Sequence, residues 1–245
     1  MALQLGNTKI KEIYLGSTKI IEAYLGSNKI FSGVDPYNPL GLPPNTVRVR
    51  TDNGQPPSRG PGAVATYETA TLVPGTTDVY DVYKSGTNFT KLLCFSNIVE
   101  VLGANTTGIT NMTEMFNRCI YLPSIPLFDT SSVTDMSSMF ERCLSLTSIT
   151  LFDTSSVTNM DSMFSDCSSL TTIPLFNTSK VTRMGEMFYD CRKVQSGALA
   201  LYRQASSQST PPSKHNITFY NCGRDTTTGA AELAQIPSSW GGTGA

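Results

Sequence analysis

Apolar positions recur every 24 residues between residues 99 and 194, in units of the form Met-x-x-Met-Phe-x-x-Cys. Within one unit, Val133, Met136, Phe140 and Cys143 have the spacing of a single helical stripe, with Ser or Thr at 130–132 placed to cap its first turn. The following segment LTSITLFD alternates apolar and polar positions, which predicts a short strand. Its inward side chains are expected to be Leu146, Ile149 and Leu151. The repeated columns are Met112, Met136, Met160 and Met184; Met115, Met139, Met163 and Met187; Phe116, Phe140, Phe164 and Phe188; and Cys119, Cys143, Cys167 and Cys191.

A fixed period of this length indicates a stack of similar units, because one unit cannot bury its apolar face alone. The predicted fold class is therefore mixed α/β: a leucine-rich-repeat-like solenoid of 24-residue strand–helix repeats. Capping segments are expected at its ends, and a short β-rich repeat region is expected to precede it.

A second repeat has a period of ten residues and lies at the N-terminus, in LGNTKI, LGSTKI and LGSNKI. Each decapeptide predicts a short strand, as in KIKEIYL, and a Gly-Ser or Gly-Asn turn. These residues are too few for an independent core, so we expect them to attach the chain to partners or to other copies of itself. The alternative is a small meander packed on its own body. The candidate anchor and oligomerisation residues are Leu5, Ile10, Tyr14, Leu15, Ile20, Tyr24, Leu25 and Ile30.

The two repeats divide the chain into five segments. Strands are expected at TVRVR, ATYETATL, DVYDVY and NIVEVLG, a first helix around NFTKLLCF, and later helix-like pieces in SGALALYRQA and AAELAQIPSSW. The tail segment HNITFYNCG has the pattern of a strand. The segments are an N-terminal β region (1–33), a Pro/Gly linker (34–45), an N-terminal cap (46–98), the repeats (99–194) and a C-terminal cap (195–245).

The composition argues against several classes of protein. Among 245 residues, 15% are charged, the formal net charge is −1, and 31 Thr and 27 Ser take the place of the usual Lys and Glu. No basic cluster marks a nucleic-acid partner, and no apolar run is long enough for membrane insertion. The start MALQLGNTKIKE lacks the basic and apolar regions of a secretory signal, so none is predicted.

No catalytic constellation, metal site or cofactor is predicted. The cysteines at 24-residue spacing contain no Cys-x-x-Cys pair, so a buried thiol ladder is favoured over disulfides or a metal. The methionine columns are interpreted as core rather than as a pliable binding groove. The single histidine, His215, has no motif around it and is interpreted as an ordinary surface or loop residue.

One column leaves two interpretations open. Strict alternation points Phe128, Phe152 and Phe176 outward, where with Pro126 and Pro174 they would form a ligand-binding surface for a sugar or a protein. Alternatively, the chain turns at each phenylalanine and buries the ring under the start of the next unit.

The repeat x-V-T-x-M-x-x-M-F-x-x-C-x-x-L-x-x-I-P-L-F-D-T-S resembles the BspA-like leucine-rich repeat of surface proteins from gut and oral bacteria. The LGSTKI decapeptides, EVLGANTTGITNM and KVQSGALALYRQASSQ resemble parts of proteins encoded by gut bacteriophages and prophages. Together these resemblances imply a display or adhesion protein, and they transfer no catalytic residue.

The predicted function is that of a non-enzymatic bacteriophage virion protein of the fibre or decoration type. Its N-terminal repeats would bind other virion proteins or form a homo-oligomer, for which a trimer is considered. Its repeats would bind a host glycan, a host surface protein or a mucosal ligand. It would be assembled in the host cytoplasm and lie on the particle surface. The alternatives are a purely architectural decoration protein and an adhesin on a bacterial cell surface.

Overall fold

The computed structural model describes residues 4–5, 8–10, 22–25, 28–32, 38, 40–57, 66–94 and 97–244, with the backbone alone for the strands before residue 38. These first strands form one antiparallel sheet in the order β1-β2-β3-β4. Leu5 pairs with Thr8 and Leu25 pairs with Asn28, so strands flank the Gly-containing segments of the first and third decapeptides. The strands are β1 (Gln4–Leu5), β2 (Thr8–Ile10), β3 (Glu22–Leu25) and β4 (Asn28–Ser32).

A second antiparallel sheet of four strands has the order β6-β7-β5-β8. Its centre is hydrophobic, since Val47 and Val49 of β5 and Val82 of β7 are fully buried. All four strands predicted between residues 46 and 105 are confirmed. They are β5 (Thr46–Thr51), β6 (Thr69–Leu72), β7 (Val79–Tyr83) and β8 (Ile98–Asn105).

The repeat units are built from turns rather than from helices. Ser138 and Arg142, four residues apart, have φ angles of 53° and 60°, and equivalent residues of the other units share this left-handed conformation. A right-handed α-helix cannot pass through such residues. Three overlapping turns are closed by backbone N–H groups: Met139 donates to Met136 (3.2 Å), Glu141 to Ser138 (3.2 Å) and Cys143 to Phe140 (3.1 Å).

Four further N–H groups in each Met-x-x-Met-Phe segment donate to the next unit along the chain. The donors are alternate residues, and the pattern repeats in all units, so that successive units stack as rungs in parallel. Isolated parallel bridges follow the same course through Asn111, Asp135, Asn159 and Arg183. In one rung, Met136 donates to Asn159 (3.0 Å), Ser138 to Asp161 (2.9 Å), Phe140 to Met163 (2.9 Å) and Arg142 to Ser165 (2.8 Å).

Stacking places identical side chains on top of one another in the core. The rings of Phe116, Phe140, Phe164 and Phe188 are stacked with centroid separations of 5.4–5.5 Å. Buried threonines also connect rungs: the hydroxyl of Thr130 donates to the carbonyl of Asp153 at 2.9 Å. Hydroxyls predicted to cap helices therefore hold neighbouring rungs together.

The chain after the repeats adds two short helices to the stack. They are α1 (Ala198–Ser206) and α2 (Thr227–Leu233), and a single 3₁₀ turn follows at Ser238–Trp240. The helical prediction for SGALALYRQA is confirmed, and that for AAELAQIPSSW is confirmed only at its start, residues 230–233, and in the 3₁₀ turn. In contrast, residues 88–94 of NFTKLLCF form a bridge and turns rather than a helix, and HNITFYNCG forms turns rather than a strand. No helix among the described residues is long and apolar enough to span a membrane.

The predicted strand–helix solenoid is wrong. Residues 106–197, all of which the structure describes, contain no helix and no strand beyond isolated bridges. The regular elements are small antiparallel sheets before this region and two short helices after it. The physical reason is that backbone N–H groups bond to the next unit, 23 residues along the chain, and not to carbonyls four residues back.

Candidate functional site

A column of leucines is the most exposed apolar feature that recurs with the repeat. Leu151 and Leu175 are 55% and 54% exposed, and Leu127, one rung earlier, is half-buried. In this way the repeats present apolar side chains at the same position on successive rungs. The prediction that Leu151 faces inward is wrong, although Leu146 of the same unit is buried as expected.

The outward leucine follows from a change of chain direction inside the segment Ile-Pro-Leu-Phe. The N–H of Phe176 donates to the carbonyl of Pro174 at 3.0 Å, which makes a tight turn about Leu175. Ile173 before the turn is buried and Phe176 after it is also buried, so simple alternation fails over these four residues.

The phenylalanines considered as a ligand-binding column lie in the core. Phe128, Phe152 and Phe176 are at most 2% exposed, and the ring of Phe128 stacks on Phe152 with centroids 6.1 Å apart. Phe128 also packs on Phe116 of the same unit at 6.0 Å. The interpretation with exposed rings is thereby corrected, because buried rings offer no surface to a ligand. Pro126 and Pro174 are half-buried beside the leucine column.

The cysteines form a ladder of protonated thiols inside the stack. All six are buried and free of disulfides. Cys143 donates its Sγ–H to the carbonyl of Phe116 at 3.2 Å, and Cys167 donates to Phe140 at 3.1 Å. Burial raises the pKa of Cys94 to about 12 and raises the pKa values of Cys143 and Cys167 well above the ordinary range. Thiols held in this form are poor nucleophiles and poor metal ligands.

The C-terminal cap holds both the single histidine and the single tryptophan. His215 is half-buried and its ring stacks on Trp240 with centroids 4.1 Å apart, while Tyr202 meets the same indole edge-on at 5.4 Å. His215 thus lies in a loop, one of the two predicted environments, and packs on the cap instead of standing free at the surface. Among the described residues, no group of three His, Cys, Asp or Glu side chains is arranged to hold a metal ion.

The candidate anchor residues are placed only in part. The structure puts Leu5, Ile10, Tyr24, Leu25 and Ile30 on strands of the N-terminal sheet and describes their backbone. Their role in attachment stays a prediction. The remaining candidates Tyr14, Leu15 and Ile20 lie outside the described residues.

Two rungs of the stack were not predicted from the sequence. Residues 88–94 form a rung before the first Met-x-x-Met-Phe unit, as Phe89 donates to the carbonyl of Asn111 at 2.8 Å. Residues 214–222 form another after the last unit, where Phe188 donates to Thr218 at 2.8 Å. The second of these rungs could have been predicted from the string HNITFYNC, which keeps the Phe and Cys of the repeat and replaces both methionines.

One comparison with known proteins assigns a family. The family described as Mycoplasma protein of unknown function, DUF285, matches residues 78–201, just over half of the chain. This match is consistent with the resemblance to BspA-like repeats. No curated protein and no solved structure shows significant similarity to the chain. The matched range includes every Met-x-x-Met-Phe unit of the stack, and the chain therefore belongs to the DUF285 family.

Proposed function

We propose that the chain is a non-enzymatic display protein of a bacteriophage particle, whose stacked repeats adhere to ligands on host cells or mucosal surfaces. The N-terminal repeats attach it to other virion proteins and oligomerise it. The phage assignment is supported by the LGSTKI decapeptides and the tail segment, which resemble parts of gut phage proteins.

The observation that carries the adhesive role is the leucine column. The columns of the repeat formed by Met, Phe and Cys are buried, whereas Leu151 and Leu175 expose more than half of their surface. Exposed apolar side chains that recur at one place on a surface are typical of contact sites, while scattered ones need no explanation. The column is flanked by the half-buried Pro126 and Pro174, which add apolar area beside it.

The buried thiols and the stacked His215 support a binding role over a catalytic one. The nucleophilic form of the cysteines is disfavoured by burial, and the imidazole is packed against Trp240. The groups that most often perform nucleophilic and general-base chemistry are thus used for packing in the described part of the chain.

The adhesive role is tested with the double variant L151S/L175S. We expect it to reduce retention of the full-length chain on mucin-coated plates or on a panel of intact gut bacteria at least tenfold. The matched control is L144S, since Leu144 is also exposed, at 44%, but lies outside the leucine column. Equal retention of the wild type and the double variant would contradict the proposal, as would absence of retention on every surface.

The attachment role is tested by deleting residues 1–34. Sedimentation of the full-length and truncated chains measures oligomerisation, and purified particles are assayed for incorporation of each chain. We expect the truncated chain to sediment as a monomer and to be absent from particles. Normal assembly of the truncated chain would show that the N-terminal repeats are not the anchor.

An adhesin on a bacterial cell surface is the second candidate, and the family match favours it because BspA-like repeats occur in surface proteins. The neighbouring genes distinguish the two candidates. Capsid and tail genes on either side support the phage particle, whereas their absence supports the bacterial surface.

A further inference from the structure

Three successive equivalent corners of the repeats differ sharply in charge. We define these corners as residues 129–135, 153–159 and 177–183. The first contains two aspartates and the second contains one. The third contains no acidic residue, and Lys180 and Arg183 stand where the first corner has Ser132 and Asp135. The stack therefore changes from acidic to basic along one edge.

A groove with a volume of about 480 Å³ lies at the basic corner. It runs between residues 179–182 and the loop at 210–213, and Thr158 of the preceding rung also lines it. The loop occupies the position of the next corner, because Lys214 donates its N–H to the carbonyl of Thr182 at 3.1 Å. A volume of this size is within the usual range for small-molecule sites, about 300–1,000 Å³.

Five of the eight residues that line the groove carry a hydroxyl group that can accept hydrogen bonds, while most of the exposed lining surface is apolar, as a sugar ring with its C–H faces also requires. Thr158, Thr182 and Ser213 each donate their own hydroxyl proton to a carbonyl of the preceding rung, at 3.1–3.2 Å. Their oxygens keep lone pairs that can accept further hydrogen bonds. Ser179 and Thr210 add two further exposed hydroxyls.

The positive charge at this corner is only partly neutralised. Arg183 and Lys214 share the single carboxylate of Asp161, at 2.5 Å and 2.8 Å. Lys180 lines the groove, is exposed, and has no ion pair among the described residues. An ammonium group without an ion-pair partner, in a groove that also carries hydroxyl groups, favours a ligand that is both anionic and rich in hydroxyl groups.

We propose that this groove binds an acidic sugar, with Lys180 contacting its carboxylate or sulfate group and the threonine and serine hydroxyls contacting its ring hydroxyls. The inference adds a ligand class to the proposed adhesive role, at a groove that the leucine column does not line, and it rests on the proposed function. The hydroxyl lining favours a sugar over a simple inorganic anion, because a single ammonium and several acceptor oxygens bind a bare anion poorly.

Calorimetric titration of the full-length chain with 3′-sialyllactose, lactose 3′-sulfate and neutral lactose tests the inference. We expect binding of at least one acidic sugar, no binding of lactose, and weaker binding as the salt concentration rises. The two acidic sugars distinguish a carboxylate from a sulfate as the recognised group. The variant K180S should weaken acidic-sugar binding about tenfold or more, because a hydrogen bond from a charged group is lost.

The substitution K180S introduces the side chain found at the same place in the other two corners, so the stack is expected to fold normally. The matched control K193S removes an exposed lysine outside the groove and should leave binding unchanged. Equal binding by K180S and the wild type, or equal binding of lactose and the acidic sugars, overturns the inference. If adhesion is lost in L151S/L175S but sugar binding is absent, the groove inference fails and the proposed function stands. If sugar binding depends on Lys180 but L151S/L175S adheres fully, the groove inference stands and the proposed adhesive role of the leucine column fails.

Discussion

Replacing Phe140 with alanine should lower the free energy of unfolding by about 3–5 kcal/mol. The side chain is fully buried, and its ring stacks on Phe116 at 5.5 Å and on Phe164 at 5.4 Å. It also packs on Phe152 at 6.0 Å, so one truncation removes contacts within its own unit and with both neighbouring rungs. Urea unfolding monitored by circular dichroism measures the loss.

The matched control for this substitution is Tyr121→Ala. Tyr121 is an aromatic residue of a neighbouring unit that is 54% exposed, and its truncation should change the unfolding free energy by no more than about 0.5 kcal/mol. If Phe140→Ala lowers the free energy of unfolding by less than about 1 kcal/mol, the ring is not at the centre of a stacked core.

Replacing Gly197 with alanine should destabilise the C-terminal cap by more than about 2 kcal/mol. Its φ of 104° disfavours any side chain, at about 1–2 kcal/mol for left-handed backbone, and a Cβ atom would lie 2.1 Å from the carbonyl oxygen of Ile173. Since Ile173 donates its N–H to the carbonyl of Ser196 at 3.0 Å, the backbone cannot move apart without losing this bond. Thermal unfolding of the variant measures the effect.

Gly86→Ala is the control that separates backbone strain from the steric clash. Gly86 also has a positive φ, 80°, but a Cβ atom added there would have no neighbouring atom within 4 Å. The substitution Gly86→Ala should therefore lower the free energy of unfolding only by the cost of the left-handed backbone conformation. Equal destabilisation by the two substitutions would argue against the close approach of Gly197 to Ile173.

The core of the repeats could be predicted from the sequence, but their backbone conformation could not. Met136, Met139, Phe140 and Cys143 are buried as predicted, because their spacing is identical for a helical stripe and for a series of turns. Asp135 provides the missed signal: its carboxylate accepts the N–H of Ser137 at 2.9 Å, a bond that competes with helix formation. Asn111 and Asn159 make the same bond in their units.

The candidate exposed column of the repeats was assigned to the phenylalanines instead of the leucines for a related reason. Alternation in Ile-Pro-Leu-Phe predicted the wrong inward residue, because the tight turn at Leu175 changes which side chain points outward. The basic groove depends on Lys180 and on the loop at 210–213, which are 30 residues apart and meet only after stacking. The four strands of the second sheet have no such turn within them, and all four were predicted from local sequence.

Each unit is a rung of turns stacked in parallel on its neighbours, and both the leucine column and the groove depend on that arrangement. Nuclear Overhauser spectroscopy of the full-length chain tests it most directly. We predict ring-to-ring cross-peaks from Phe140 to Phe116 and Phe164, together with an amide proton of Phe140 that is close to Met163. Continuous helical contacts through residues 133–143, with no cross-peaks between units, would contradict the account.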